Sequence, residues 1–190
     1  MFMRSLVFAM LLVVLISGSV LAFNVPDSYD VGLGDFSFNA DVVGTGSLQA
    51  VCLTGKYPSK TMFIYQNDQA IATFSFGSGG GKFLVSNFRE GLGQDIAFAF
   101  NDGSGVYIQS AKIIGYDGSK IAVLLDLNGK ISNNGRDGKF VVVDGMLYFD
   151  YYEKQYIAGL SSAQMPITLY RIRVYNDGTH YWLGQPYLRN

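Results

Sequence analysis

After Phe23, apolar and polar residues alternate in short runs with a period of two, separated by Gly, Asn and Asp. No stretch keeps the 3.6-residue period of an amphipathic helix over helical length. In 70–76, Ala70, Ala72, Phe74 and Phe76 form one face, and two of the three intervening residues carry hydroxyls, the pattern of a half-buried strand. At 96–100, Ile96, Phe98 and Phe100 share one face while Ala97 and Ala99 share the other. Both faces are apolar, which predicts a central strand packed on two sides. Five Asp-Gly dipeptides, beginning at Asp102, Asp117, Asp137, Asp144 and Asp177, stand between these runs. Each is a hairpin candidate, because Asp-Gly tolerates the positive φ angles of a type I′ turn. The clearest predicted hairpins pair 112–116 with 119–124, 140–143 with 146–149, and 169–175 with 179–183. Pro58, Pro166 and Pro186 fall at loops or strand ends, and 158–165 reads as a loop or a single helical turn. The predicted fold class is all-β: an antiparallel meander of hairpins in one domain, 23–190.

The segment before Phe23 has a different pattern. Arg4 precedes an apolar run, and Val20-Leu21-Ala22 offers small residues at the −3 and −1 positions of a cleavage site. Residues 1–22 therefore read as a signal peptide and the product as secreted or periplasmic, with no membrane span once the signal is removed. Kept in place, the same run approaches the ~20 residues of a membrane helix. Loss of Arg4 leaves 13 basic against 15 acidic residues, a net charge of −2. Nucleic acid is an unsuitable partner for such a chain, since phosphate binding needs a clustered cationic surface. Only 15% of residues are charged, 49% are hydrophobic and 23 are glycine, so disorder and coiled coil are excluded. The single cysteine, Cys52, forms no internal disulfide and reads as a small buried hydrophobe.

In the stretch 87–106, Phe88, Gly93, Asp95, Ile96 and Ala97, followed by Gly103-Ser104-Gly105, form a loop, strand and turn sequence. This segment resembles an FG-GAP/VCBS repeat, the blade of integrin-alpha-like β-propellers. Weaker echoes are Gly34-Asp35-Phe36 leading to Asp41-Val42-Val43, and Asp126-Leu127-Asn128-Gly129 leading to Gly138-Lys139-Phe140. Asp35 and Asp126 stand 52 residues before and 39 after Asn87, near the length of one four-stranded blade. The resemblance implies propeller-blade-like sheets; a β-sandwich or barrel is the alternative, because three blades do not close a ring. It also implies calcium in acidic loops, where Asp and Asn oxygens wrap a hard cation. Arg89 and Gly91 stand where the middle loop would supply oxygens, whereas the third loop keeps Asp126 and Asn128. Calcium, the one cofactor implied, is therefore placed at Asp126 and Asn128, and the other reading of these residues is turn capping.

Catalytic motifs are sparse. A Ser-His-Asp triad would need His180, the sole histidine, and no serine has nucleophile-elbow spacing. The run Gly77-Ser78-Gly79-Gly80-Gly81-Lys82 departs from a phosphate loop at both ends, with Phe76 and Phe83 where Gly and Ser/Thr belong. Zinc sites lack their His and Cys ligands.

The C-terminal hairpin gives a more definite surface. A two-residue turn at Asp177-Gly178 predicts the pairs Tyr175/His180, Val174/Tyr181, Arg173/Trp182 and Ile172/Leu183. One face then gathers Arg171, Arg173, Tyr175, His180 and Trp182, opposite Ile172, Val174 and Leu183. Planar aromatics and guanidiniums suit a sugar ring or an anionic group. The expected function is a non-enzymatic binding module for a protein or polysaccharide, of unspecified oligomeric state. Its alternatives are a small secreted carbohydrate hydrolase using paired aspartates and a purely structural envelope protein.

Overall fold

The computed structural model describes residues 26–189 apart from 33, 56–58, 78 and 102–106. The expected signal peptide, the Asp102-Gly103 turn and Pro58 lie outside the described residues. Those residues form fourteen strands and no helix, and no described helix is long and apolar enough to cross a membrane. The first sheet is a four-strand meander of β2 (Phe36–Ala40), β3 (Gln49–Thr54), β4 (Ser59–Gln66) and β5 (Gln69–Gly77). The second contains β6 (Gly81–Ser86), β7 (Asp95–Asn101), β8 (Ile108–Tyr116) and β9 (Ile121–Asp126), with β1 (Asp27–Val31) added at the β6 edge. In the third, β10 (Arg136–Val143), β11 (Met146–Lys154), β12 (Ile167–Asn176) and β13 (Tyr181–Leu183) follow in order, and β14 (Tyr187–Leu188) also pairs with β12. All named pairings are antiparallel, so the all-β meander expected from the alternation is the observed fold.

The three sheets form three layers. Ile96, Phe98 and Phe100 of β7 join Val51, Leu53, Met62 and Ile64 in a core between the first and second sheets. Ala97 and Ala99 join Phe140, Phe149, Ile172 and Val174 in a core between the second and third. The second sheet is thus covered on both sides, as the two apolar faces of β7 require. Cys52 departs from expectation: Val51 and Leu53 point inward, so strand alternation places Cys52 on the outer side, where it is half-buried.

Two polar side chains are buried where the layers join. Lys60 is 2% exposed and donates from Nζ to the carbonyls of Gly32 (2.6 Å) and Gly34 (3.0 Å). It ties down the crossover by which the chain leaves β1 for the first sheet. Gln49 is fully buried, and its Oε1 accepts from the N–H groups of Val42 (2.7 Å) and Val43 (3.2 Å). At the same join Gly93 meets residues 41 and 42 so closely that an added Cβ would lie 2.2 Å from the Val42 carbonyl oxygen.

The Asp-Gly pairs divide by turn chemistry. Asp144 and Gly145 adopt φ of 48° and 75°, joining Val143 and Met146 by the expected two-residue turn. Asn67-Asp68, not singled out in the sequence, does the same between Gln66 and Gln69 with φ of 50° and 62°. Asp137-Gly138 is no turn: Asp137 sits at φ 48° in a bulge of β10 between Arg136 and Lys139. At Asp117 and Asp177 the aspartate side chain folds back on the loop and makes it four residues long. The Asp117 carboxylate accepts from Ser119 N–H (2.8 Å), the Ser119 hydroxyl (2.8 Å) and Lys120 N–H (2.9 Å). The Asp177 carboxylate accepts from Thr179 N–H (2.8 Å) and His180 N–H (2.7 Å).

The Lys120 and Ser119 donors hold the Asp117 carboxyl down at about 2, against an ordinary 3.8. A carboxyl depressed by folding stabilises the fold fully above its unfolded value, and that contribution is lost as pH falls through the folded value. The β8–β9 turn should therefore keep its geometry at pH 4 and loosen near pH 2. A carboxyl-carbon NMR titration should give a midpoint near 2 for Asp117; a midpoint at 3.8 would contradict the three hydrogen bonds.

The echoes of the repeat do not occupy equivalent points of the three meanders. Gly34-Asp35-Phe36 runs into the first strand of its sheet, the 87–95 segment leads from β6 into β7, and the third echo starts at Asp126, the last residue of β9, and continues between the second and third sheets. Asp95 opens β7 fully buried, and the positive charge beside it belongs to Arg89.

Candidate functional site

The C-terminal hairpin carries the candidate surface, and its register differs from expectation. Val174 pairs with Leu183, Tyr175 with Trp182 and Asn176 with Tyr181. The predicted pairs Tyr175/His180, Val174/Tyr181, Arg173/Trp182 and Ile172/Leu183 are therefore replaced. Asp177 capping lengthens the loop to residues 177–180, which slides β13 by two residues. A two-residue slide preserves facing, since side chains alternate with that period. Arg171, Arg173, Tyr175 and Trp182 accordingly share the outer face, opposite buried Ile172 and Val174 and partly buried Leu183. His180 leaves the paired strand and sits in the turn, its side chain 78% exposed and its Nδ1 3.7 Å from the Asp177 carboxylate.

On the outer face the rings and guanidiniums interlock. Tyr175 and Trp182 lie nearly parallel, 10° apart with centroids 5.7 Å from each other. The Arg173 guanidinium carbon is 4.6 Å from the Tyr175 centroid, and that of Arg171 is 5.0 Å from Tyr148. Gly184 makes room for this arrangement: an added Cβ would come within 3.1 Å of the Tyr175 ring. Trp182 is 46% exposed. Tyr187, paired with Arg171 through β14, extends the same face.

The two arginines differ in their partners. Arg171 binds both Asp150 oxygens, Nε to Oδ1 at 2.7 Å and Nη2 to Oδ2 at 2.8 Å, and Arg189 adds a third contact at 3.0 Å. Arg173 has no carboxylate within 4.0 Å among the described residues. Asp150, Tyr148, Tyr187 and Gly184 were not assigned to this surface by the sequence. The β11 alternation, read against β12, would have placed Tyr148 and Asp150 beside the arginines.

Beneath the hairpin lies a buried ion pair. Arg89, 1% exposed, meets both oxygens of Asp95 at 2.7 and 2.9 Å and donates to the carbonyls of Tyr116 (2.8 Å) and Thr179 (3.3 Å). The Tyr181 hydroxyl donates to Asp95 at 2.6 Å. Burial, with the Asp95 charge beside it, pushes the Tyr181 hydroxyl well above the ordinary tyrosine range, so it remains a donor. A loop from the second sheet thereby holds the start of β13 in the third.

The other residues named from the sequence are engaged locally. Asp126 pairs with Lys112 at 2.9 Å and accepts from Asn128 N–H at 2.9 Å, while Asn128 Oδ1 accepts from Ala111 N–H at 3.4 Å. No group of three or more His, Cys, Asp or Glu side chains arranged to hold a metal occurs among the described residues. Asp137 and Asp150 line one small cavity of about 60 Å³. Both Asp150 oxygens face arginines there, the arrangement of a structural ion pair. No protein-family model matches the chain, and neither does any curated protein or solved structure.

Proposed function

We propose that the chain is an exported, non-enzymatic binding module that takes a polysaccharide on the outer face of its third sheet. The observation that carries this reading is the near-parallel Tyr175–Trp182 pair, held by cross-strand pairing, with Trp182 exposed and Tyr175 half-buried beside Arg173. Aromatic faces carry a negative quadrupole, which attracts the weakly positive C–H bonds of a sugar ring. Trp, Tyr and Arg are also the residues that dominate binding energy at protein surfaces. Trp182 and Tyr187 are the exposed rings of this face, and rings spaced along a sheet suit an extended chain better than a small molecule enclosed in a cleft. The inner side of this sheet packs on the second sheet, which gives the face a rigid base, and export would bring it to the polymers of a cell surface.

Substituting Trp182 with alanine is expected to lower affinity for immobilised polysaccharide at least tenfold. Stability should change by no more than about 1 kcal/mol, the scale of a cross-strand aromatic pair, because the side chain stacks on Tyr175 but belongs to neither core. Affinity gel electrophoresis and thermal melts of the same samples check both expectations. Unaltered retention of the Trp182→Ala protein on every polysaccharide that retains the parent would refute the assignment.

A further inference from the structure

The same face has a charge asymmetry that bears on its ligand, and the inference drawn from it rests on the reading just proposed. Three guanidiniums reach this face. Two of them, Arg171 and Arg189, share one carboxylate, Asp150, which is 4% exposed. The third, Arg173, is half-buried, with one side against Tyr175 and with Tyr148 as its cross-strand neighbour. Among the described residues no carboxylate approaches it within 4.0 Å, although the chain after Ala22 has more acids than bases. Of the lysines at outer positions of this sheet, Lys139 stands across from Asp150 on β10, and Lys154, at the far end of β11, is bound to the carbonyl (2.7 Å) and hydroxyl (3.0 Å) of Ser162.

A half-buried guanidinium gives up part of its hydration, and a ring face returns only a fraction of it. Its planar fork of N–H donors fits a carboxylate in bidentate fashion. We propose that the polymer recognised here is anionic, a polysaccharide of uronic-acid type whose carboxylate docks on Arg173 while its sugar ring lies against Trp182 and Tyr175. Arg171 takes no part in charge recognition, because Asp150 already occupies its fork, and it acts as a fixed wall beside Tyr148.

The test compares one polymer with and without its charge: oligogalacturonate and the same oligomer fully methyl-esterified, measured by isothermal titration calorimetry. The expected result is at least tenfold tighter binding of the acid form, weakening as salt is added. In Arg173→Gln the ratio between the two forms should fall to about one, and in Arg173→Lys it should recover in part. Alginate and heparin extend the test to another uronate and to a sulfated polymer. Equal affinity for both forms in the parent, with binding still dependent on Trp182, would overturn the anionic ligand and leave the polysaccharide reading standing. Binding of neutral dextran but of none of the acidic polymers would likewise overturn it. Loss of the charge preference in Arg171→Gln but not in Arg173→Gln would assign recognition to Arg171 and also overturn the proposal.

Discussion

Replacing Arg89 with methionine should destabilise the protein by about 3–5 kcal/mol, the cost of leaving a buried carboxylate without its partner. Asp95 is fully buried, and Arg89 supplies both of its close ionic contacts. The expected fall in melting temperature is roughly 6–20 °C for a domain of this size. Methionine keeps the volume while removing the charge, so the loss reports electrostatics more than packing. The double variant Arg89→Met/Asp95→Asn should recover much of the stability, because an amide tolerates burial far better than an unpaired carboxylate. A double variant no more stable than Arg89→Met would show that the Tyr116 and Thr179 carbonyls, not Asp95, depend on the arginine. Gly115 belongs to the same constellation, since an added Cβ would fall 1.9 Å from Asp95 Oδ1.

Phe98→Ala should cost about 3–5 kcal/mol, a large share of the 5–15 kcal/mol that ordinarily separates folded from unfolded chains. Phe98 is fully buried among Phe76, Phe83 and Phe100, with centroids 4.6, 5.5 and 5.5 Å away. The cavity would open between the first and second sheets, whereas the only tryptophan, Trp182, lies on the far side of the third. Trp182 fluorescence therefore tests cooperativity across the layers. In urea, its transition should shift to lower concentration as far as the circular dichroism transition does, because β7 contributes side chains to both cores. A tryptophan transition left in place while the dichroism becomes biphasic would mean that the third sheet unfolds separately.

The layered arrangement was legible at β7 because 96–100 is apolar on both faces, and only a strand covered twice needs that pattern. Hairpin order was legible from Asp-Gly spacing, but loop length was not. The same dipeptide serves a two-residue turn at Asp144 and a four-residue loop at Asp177, and the difference lies in whether the aspartate side chain caps the following N–H groups. At the candidate face, Trp182, Tyr175 and the two arginines were legible in facing although not in pairing, since a slide of two residues leaves alternation untouched. His180 was misplaced for the same reason: the longer loop absorbs it. Arg89 could not have been found by pattern. A charged residue amid Gly, Glu and Asn reads as solvent-exposed, and one of its binding partners, Thr179, lies 90 residues away.

The fastening of Tyr181 to Asp95 at 2.6 Å has a kinetic consequence for the residue that follows it. A strand of only three residues ordinarily frays, and a ligand would then have to order it, at about 0.5–1.5 kcal/mol for each immobilised side chain. Here β13 is held from the interior on one side of Trp182 and by the pairing of Leu183 with Val174 on the other. The indole is preorganised in the free protein, so its ordering entropy is lost during folding and not at encounter. Association at this face should accordingly proceed in a single phase without a slow rearrangement, and differences in affinity among ligands should appear as differences in residence time.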